Sequence, residues 1–534
     1  PVDLLNHLAL AAKASGSQAR AVRLLRAALA RQPGDAKGHA TLGIWLCGAR
    51  SWPAALPCLQ RYLILNPSGR RAARVLELLG HAYGNVLNYA AAYRQFLRVL
   101  TFDRRRLLLL LPHLANAAMS QPLTPRIEHL VRTALVAHPG DSVIYQNFGG
   151  VISTTGQFDV SARAVRRAVM IDPRIDVRVS IGASMLRQGR PFAAWAYFEA
   201  AAAARPDSAE AVFNRAKMRL ALGDDMGGID ALRARWRLTS FTAPHQLYPT
   251  PTLPLPVWQN QPIAGKRFFV WGEQGIGDDV WFAGRLDDFV AAGAEVVFEC
   301  SPKLAALIAR SFPRITVWAR GDADPDLRDF DYQLPIGHLT QAFHRPGVSY
   351  PSGYLRVDKR LVGRLRKRYT ARGTTPAIGI AWRSIKPARH GSFEAPILDW
   401  GPVLRQKRFN FISLQYGDTA ADIAAAADAF GARIYQDPEV DYGGDLRSAA
   451  AQIAAVDAVV SIASAPVIMA HGLNRPTWAV LRRSQEDWRY RVGARNTLWL
   501  PHCRMFWPRT AENWSEVLAA AGEDLDQFME AAGK

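Results

Sequence analysis

Cysteine is scarce in this sequence, and long hydrophobic runs are missing from it. Of its 534 residues four are cysteines, and their spacing fits no metal site. We therefore expect reduced thiols that pack inside a cytoplasmic protein. The longest purely apolar run, 192–198, is far shorter than the roughly 20 residues of a membrane helix, and no signal-peptide pattern opens the sequence. We expect no integral membrane segment, although the start at Pro1 leaves a removed leader open. The cysteines are Cys47, Cys58, Cys300 and Cys503.

Acidic residues are outnumbered by basic ones. Lysine and arginine number 66 against 46 aspartates and glutamates, which gives a formal net charge of +20. Such a surplus attracts nucleic acid, anionic lipid headgroups, phosphorylated sugars or acidic proteins. Because no motif that reads RNA or DNA accompanies the charge, we expect no nucleic-acid partner. The length of the chain predicts two to four domains.

A strand, a glycine-rich turn and a helix follow one another at 268–292. The run 268–271 has the length of a buried strand, and apolar residues recur every three or four positions from 280 to 292. In an open α/β sheet such a turn lies at the carboxyl end of its strand, where ligands bind and free amides favour a phosphate. The glycine spacing is neither the dinucleotide fingerprint nor a Walker loop. Asp278 is either a helix cap or a catalytic or substrate-binding carboxylate.

Internal repeats fill the first half of the sequence. Prolines recur at intervals near 34 residues, and two small residues and a large apolar one precede them at fixed offsets. Small residues let two antiparallel helices approach closely, the large residue fills the groove to the next unit, and proline ends the second helix. The pattern resembles the tetratricopeptide repeat over residues 1–237. The prolines are Pro33, Pro67, Pro139, Pro173 and Pro206, and the sets are Gly43, Ala55, Leu59; Gly80, Ala92, Phe96; Gly149, Ser161, Val165; and Gly182, Ala194, Phe198.

The resemblance implies a concave surface that binds a peptide or another protein. The arginines at 70–71, 104–106 and 166–167 could line that surface. They could equally form a solvated convex face. Both readings stay open on the sequence alone.

A proline-rich linker, 238–265, separates the repeats from a region in which strands and helices alternate. Alternation of this kind implies parallel sheets with right-handed crossovers. The predicted fold class is an α-solenoid followed by two Rossmann-like α/β halves, 266–360 and 361–534. The predicted strands are 268–271, 295–300, 315–318, 377–382, 409–415, 433–435, 458–462 and 477–481.

This second region resembles the bacterial tetratricopeptide proteins that carry a glycosyltransferase domain of the GT-B fold. That domain is akin to the lipopolysaccharide heptosyltransferases and, more distantly, to the O-linked N-acetylglucosamine transferases. No single motif is decisive, but their order along residues 220–515 is fairly specific. The segments that carry the resemblance are 272–278, 379–384, 413–418, 445–446, 459–462, 474–478, 487–489 and 499–507.

The resemblance implies a transferase that uses a nucleotide-sugar co-substrate and needs no metal or cofactor. Asp278 would be the catalytic base that deprotonates the acceptor hydroxyl. Helix N-termini and basic side chains would neutralise the leaving phosphate. Residues implied in donor or substrate binding are Glu273, Gln274, Gly275, Gly277, Asp279, Arg383, Lys386, Gln415, Tyr416, Ser464, Ala465 and His471.

One segment departs from the family pattern. Relatives carry Asp or Asn, then Thr, then His after the strand 459–462, whereas this chain has 463–468 in the order Ala-Ser-Ala-Pro-Val-Ile. His471 follows one helical turn later and is either a packed histidine or a substitute ligand. His390 lies in a polar segment, either as a solvated loop residue or as part of an active-site loop.

Three functions stay open on the sequence. The first is transfer of a sugar to a hydroxyl of a protein recruited by the repeats, for which flagellin or another surface protein is the kind of acceptor expected by analogy. The second is a non-catalytic repeat scaffold whose GT-B domain has lost its donor site, motivated by Ala463 and Ile468. The third is a transferase acting on lipopolysaccharide or another lipid-linked glycan, motivated by the basic charge.

Overall fold

A computed structural model describes the chain in two compact units, one up to residue 180 and one from residue 181 onward. Each unit has its own helices, and both parallel sheets belong to the second unit. The described residues are 2–14, 17–49, 51–68, 71–85, 88–102, 110, 135–136, 138–153, 158–173, 176–238, 253–273, 275–322, 326–370, 375–384, 395–484, 487–509 and 513–532.

The first unit consists of helices that pack in consecutive pairs. Helices end two residues before Pro33, Pro67 and Pro173, where the missing amide and the ring stop the helix. The described helices of this unit are Val2–Ala14, Gln18–Arg31, Ala36–Gly48, Trp52–Leu65, Ala72–Asn85, Tyr89–Phe102, Ser142–Ser153 and Phe158–Ile171.

Close packing within each helix pair depends on the recurring glycines. A Cβ added at Gly43 would lie 2.5 Å from Leu59 Cδ2, and one at Gly80 would lie 2.6 Å from Phe96 Cε1. The large apolar residue therefore packs against the glycine of its own pair. The same pairing joins Gly149 to Val165 and Gly182 to Phe198.

The last repeat helices belong to the second unit. The helix Arg178–Arg187 crosses the boundary between the two units, so this boundary falls within the predicted array of residues 1–237. These helices bond directly to the α/β region: the Val492 amide donates to the Ala221 carbonyl at 2.8 Å. The helices that follow are Pro191–Ala204, Ala209–Leu222 and Asp225–Ile229, and the 3₁₀ segment Asp230–Arg237 comes next.

The first sheet is parallel throughout, with strand order β3-β2-β1-β4. Its fourth strand was not predicted, and the described end of the linker docks on it, because Gln333 Nε2 donates to the Leu255 carbonyl at 2.9 Å. The strands are β1 Arg267–Trp271, β2 Glu295–Cys300, β3 Thr316–Ala319 and β4 Tyr332–Pro335; the helices are Ile276–Phe282, Leu286–Ala291, Pro302–Ser311, His338–Phe343 and Lys359–Tyr369, with 3₁₀ turns at Ala283–Arg285 and Leu327–Asp329.

The second sheet is also parallel, with strand order β10-β9-β8-β5-β6-β7. Its last strand in sequence was not predicted. The strands are β5 Ala377–Ala381, β6 Asn410–Ser413, β7 Ile434–Tyr435, β8 Ala458–Ile462, β9 Thr477–Val480 and β10 Cys503–Phe506; the helices are Gly401–Leu404, Ala420–Phe430, Arg447–Ala455, Ala465–Gly472 and Trp514–Ala532, with 3₁₀ turns at Ile397–Trp400 and Trp488–Tyr490.

The predicted fold class is confirmed: a helical repeat array precedes two Rossmann-like parallel α/β halves. Alternating strands and helices bury both faces of each sheet, and β8 is buried along its whole length. Among the residues that the structure describes, no helix is both long enough and apolar enough to span a bilayer.

Candidate active site

Each sheet has a point at which the strand order reverses direction. In the first sheet β1 lies between β2 and β4, and in the second β5 lies between β6 and β8. Ligands of open α/β sheets bind at such points, outside the carboxyl ends of the strands. The chain enters the helix Ile276–Phe282 directly after β1, and it enters the helix Ala465–Gly472 directly after β8. We call these two strand-to-helix turns the β1 corner (residues 272–279) and the β8 corner (residues 461–465).

The β1 corner is built around a buried carboxylate. Asp279 is fully buried, and its Oδ1 accepts a hydrogen bond of 2.7 Å from the amide of Glu273. Burial raises the pKa of Asp279 well above its usual value, against the opposing effect of that amide. Gly272 is required here, because a Cβ at this position would lie 2.8 Å from both carboxylate oxygens. The buried carboxylate of Asp279 thus stabilises the turn through its hydrogen bond to the Glu273 amide.

Glu273 is also buried, and its oxygens already have protein partners. Its Oε1 accepts hydrogen bonds from Arg235 Nη2 at 2.9 Å and from the Gly337 amide at 2.7 Å, while Oε2 accepts from Arg235 Nε at 3.2 Å. Burial raises the pKa of Glu273, and Arg235 acts in the opposite direction. Arg235 comes from the 3₁₀ segment after the last repeat helix, so this ion pair fastens that segment to the corner.

Asp278 is the carboxylate of the β1 corner that reaches solvent. Its side chain is 29% exposed, and Oδ1 accepts a single hydrogen bond of 3.0 Å from Arg489 Nη2. Arg489 is held in turn by Asp487, which accepts from Nε at 2.9 Å and from Nη2 at 2.7 Å. Its guanidinium carbon lies 5.3 Å from the ring centroid of Trp281. Burial lowers the pKa of Arg489, but Asp487 and Asp278 outweigh it and hold that pKa above the usual range.

The β8 corner carries few polar side chains. The hydroxyl oxygens of Ser461 and Ser464 lie 2.9 Å apart, and no side chain caps the helix that starts at Ala465. The two corners approach each other closely: a Cβ at Gly277 would lie 3.9 Å from Ala465 Cα and 4.0 Å from Ile468 Cγ1. Asp278 therefore lies beside the N-terminus of the helix Ala465–Gly472, which we call the β8 helix because it follows strand β8.

His471 lies at the end of this helix and is almost fully buried. Burial lowers the pKa of the imidazole to about 3. Its ring lies among the aromatic rings of Tyr350 and Tyr354, with centroids 6.3 and 6.1 Å away. Of the two alternatives, this environment is that of a packed neutral histidine rather than of a substrate ligand.

Gln415 joins the ends of β5 and β6. Its Oε1 accepts from the amides of Trp382 and Arg383 at 3.1 and 3.0 Å, and its Nε2 donates to the Arg383 carbonyl at 2.9 Å. Because Gln415 is fully buried, its amide shapes the loop instead of facing a ligand. Arg383 pairs with Asp422 at 2.9 Å and stays a quarter exposed.

The structure brings some of the predicted residues together and separates others. Gly275, Gly277 and Asp278 share the β1 corner, with Ser464 and Ala465 next to them, whereas Glu273 and Asp279 are buried behind Asp278. Arg383, Gln415 and the half-buried Tyr416 end the neighbouring strands β5 and β6. Gln274, Lys386 and His390, like Arg70 and the arginines at 104–106, lie outside the described residues.

Two residues that sequence reasoning left without a role belong to this site. Arg235 fastens Glu273, and Arg489 contacts Asp278. For Arg489 a signal existed, because the order Asp487-Trp488-Arg489 places a cation two residues from a carboxylate.

A cavity of about 460 Å³ lies in the second α/β half, at the end of the sheet opposite the carboxyl ends of its strands. It opens beside the first residues of β9 and β10, at the amino ends of these strands. Its position separates it from the carboxyl ends at which the predicted residues meet. Its lining includes Trp478, Arg495, His502, Arg504 and Phe528.

No family model matches this chain. The chain is 28% identical over 421 residues to protein FlbA of Caulobacter vibrioides, a match that covers 75% of this chain and 69% of FlbA. A glycosyl transferase family 9 structure from Veillonella parvula is 12% identical, covers 51% of this chain and 98% of its own, and has a TM-score of 0.37. A tetratricopeptide repeat protein structure from Parabacteroides merdae is 15% identical, covers 44% of this chain and 92% of its own, and has a TM-score of 0.38.

Proposed function

We propose that this chain is a glycosyltransferase that moves a sugar from a nucleotide-sugar donor to a hydroxyl of a protein acceptor. The observation that carries the proposal is the position of Asp278. It is a solvent-accessible carboxylate at the switch point of the first sheet, next to the N-terminus of the β8 helix in the second. A carboxylate on one α/β half can remove a proton from the acceptor. A helix N-terminus on the other half can bind the phosphate that the donor releases.

In the proposed reaction the acceptor oxygen attacks the anomeric carbon of the sugar. Asp278 takes the proton of the attacking hydroxyl as the new carbon–oxygen bond forms. The bond between the anomeric carbon and the donor phosphate breaks, and its electron pair leaves with the nucleoside diphosphate. The amides at the start of the β8 helix stabilise the charge that develops on that phosphate. No step of this scheme requires a metal ion or a cofactor.

The repeat array is the proposed binding site for the acceptor protein. Its helix pairs form the kind of stacked surface on which repeat proteins bind their partners. The array is therefore proposed to select the acceptor, while the corners perform the chemistry.

The test is the substitution Asp278→Asn in the full-length chain. We expect it to lower sugar transfer by about 10²- to 10⁴-fold, because general-base catalysis contributes a factor of that size. The control is Asp287→Asn, which removes an equal charge from an exposed carboxylate of the same half. Mass spectrometry of proteins and glycolipids from a deletion strain, complemented with each variant, measures the transfer.

Each outcome has a distinct meaning. A sugar mass added to protein by the wild type and by Asp287→Asn, but not by Asp278→Asn, supports the proposal. Transfer retained by Asp278→Asn removes the proposed base. A change confined to glycolipids shows a lipid-linked acceptor instead. No change in either class, together with no nucleotide binding, identifies a scaffold.

A further inference from the structure

Arg489 holds its two carboxylate partners in unequal ways. Asp487 makes a two-point contact, through Nε and Nη2, whereas Asp278 accepts one bond from Nη2 alone. Two-point contacts of arginine with carboxylate are the stronger arrangement. The contact with Asp278 is thus the weaker one, and it also joins the two α/β halves.

The third nitrogen of the same side chain has no bond. Arg489 Nη1 is buried and donates to no partner among the residues that the structure describes. A buried donor without an acceptor is costly, and most such groups in folded proteins are satisfied. The side chain is only 12% exposed, so bulk water does not replace the missing acceptor.

The surroundings of this donor favour an anion. Asp278 adjoins Gly277, which faces Ala465 at the N-terminus of the eight-residue helix Ala465–Gly472. A helix N-terminus attracts negative charge, and an arginine can bond two phosphate oxygens at once. A guanidinium with a spare donor contacts Asp278, and a helix end lies next to the neighbouring Gly277.

We propose that Arg489 changes partners during the reaction. In the empty protein it holds Asp278 in place. When the donor binds, Arg489 bonds the diphosphate through Nη1 and Nη2 and releases Asp278 to act as the base. Asp487 keeps its contact throughout and anchors the side chain. This inference rests on the proposed function and adds to it the residue that links donor binding to base release.

Two consequences follow from this exchange. Asp278 and the diphosphate compete for Arg489, so removing the charge of Asp278 strengthens nucleotide binding. The acceptor loses its proton only after the donor is bound, so proton transfer follows donor binding.

Calorimetry with ADP, GDP, UDP and inorganic pyrophosphate on the full-length chain tests the exchange. We expect Arg489→Gln to weaken binding of the preferred nucleotide by about 10- to 100-fold, the usual contribution of a hydrogen bond to a charged group. We expect Asp278→Asn to tighten binding by several fold. The control is Arg509→Gln, which removes the same charge from a side chain of the same half that is 91% exposed.

The outcomes separate this inference from the proposed function. If the wild type binds none of the probes, both fail. If it binds and Arg489→Gln binds equally well, the exchange is wrong while the proposed function stands. If Asp278→Asn binds no more tightly than the wild type, the competition does not exist and the inference falls. Should Arg489→Gln not fold, Asp278→Asn alone decides, since tighter binding supports the exchange and unchanged or weaker binding overturns it.

Discussion

The β1 and β8 corners have the same local form and opposite chemistry. Both lead from a buried strand directly into a helix at the carboxyl edge of a parallel sheet. The β1 corner contains three carboxylates, of which two are buried and one reaches solvent. The β8 corner contains two serine hydroxyls and otherwise only backbone groups and apolar side chains. One geometry can therefore present either a base or an anion site.

The difference shows how the β1 corner tolerates its charge. Asp279 bonds the backbone of its own turn, and Glu273 pairs with an arginine from another part of the chain. Only Asp278 keeps an oxygen available for chemistry. Two carboxylates thus maintain the shape of the corner, and the third is the one proposed as the base.

The largest expected effect comes from removing the support of the β1 corner. Arg235→Ala leaves Glu273 buried without its cation, and breaking a buried pair in this way costs about 3–5 kcal/mol. We expect the free energy of unfolding of the second unit to fall by that amount in urea denaturation. Arg237→Ala removes an exposed neighbour and should change it little. Equal effects of the two variants would contradict a special role for Arg235.

The next effect is a contrast in pH dependence between His471, at the end of the helix Ala465–Gly472, and Asp279 of the β1 corner. His471 has a folded pKa of about 3, so from about pH 6.5 downward only the unfolded chain binds its proton. The free energy of unfolding therefore decreases by about 1.4 kcal/mol for each unit by which the pH is lowered in that window. His471→Asn should remove this slope. Asp279 has a raised pKa, so its effect on stability has the opposite sign. Its contribution to the free energy of unfolding is lost as the pH rises above the pKa that the carboxyl has in the unfolded chain. Asp279→Asn should accordingly flatten the change at rising pH.

Thermal or urea unfolding at a series of pH values measures both slopes. His7→Asn, which alters an exposed histidine of the first unit, is the control for the imidazole. A wild-type slope that persists in His471→Asn would assign the acid sensitivity to another group.

The smallest expected effect separates two glycines of the β1 corner. At Gly272 a Cβ would meet both oxygens of Asp279 at 2.8 Å, so Gly272→Ala should cost about 1–3 kcal/mol. At Gly277 the nearest atom of the β8 corner is 3.9 Å away, an ordinary contact, and alanine favours the helix by up to about 1 kcal/mol. Gly277→Ala should therefore be neutral or stabilising. Differential scanning calorimetry of both variants checks the contrast, and a destabilised Gly277→Ala would show that the corners are closer than described.

Strands with continuous apolar sequence were predictable almost to the residue. The predicted bounds of β2 and β8 agree with the structure, because each is a single run that both sheet faces bury. The strands β4 and β10 were missed because they are short and include Gln333 and Arg504, whose polar groups find partners only in the folded chain. Gln333 bonds a linker that lies 78 residues earlier, which no local pattern records.

Helix 280–292 was predicted as one element, but it starts earlier and tightens at Ala283–Arg285. The hydroxyl of Tyr354 donates to the Val280 carbonyl at 2.9 Å. In a regular α-helix that carbonyl would accept only from the amide of Gly284. Similarly, Asp278 could be proposed from its turn, but its contact with Arg489 joins residues 211 positions apart. Long-range partners of this kind are what the sequence pattern cannot supply.

The ion pair between Arg235 and Glu273 restricts how such chains can be recombined. A chimera that exchanges the repeat array at residue 237 would place a foreign side chain against the buried carboxylate of Glu273 in the β1 corner. Splicing before the helix Arg178–Arg187 retains the final helices with the unit into which they pack. Exchange of the repeats, whether engineered or by gene fusion, is therefore best made upstream of that point.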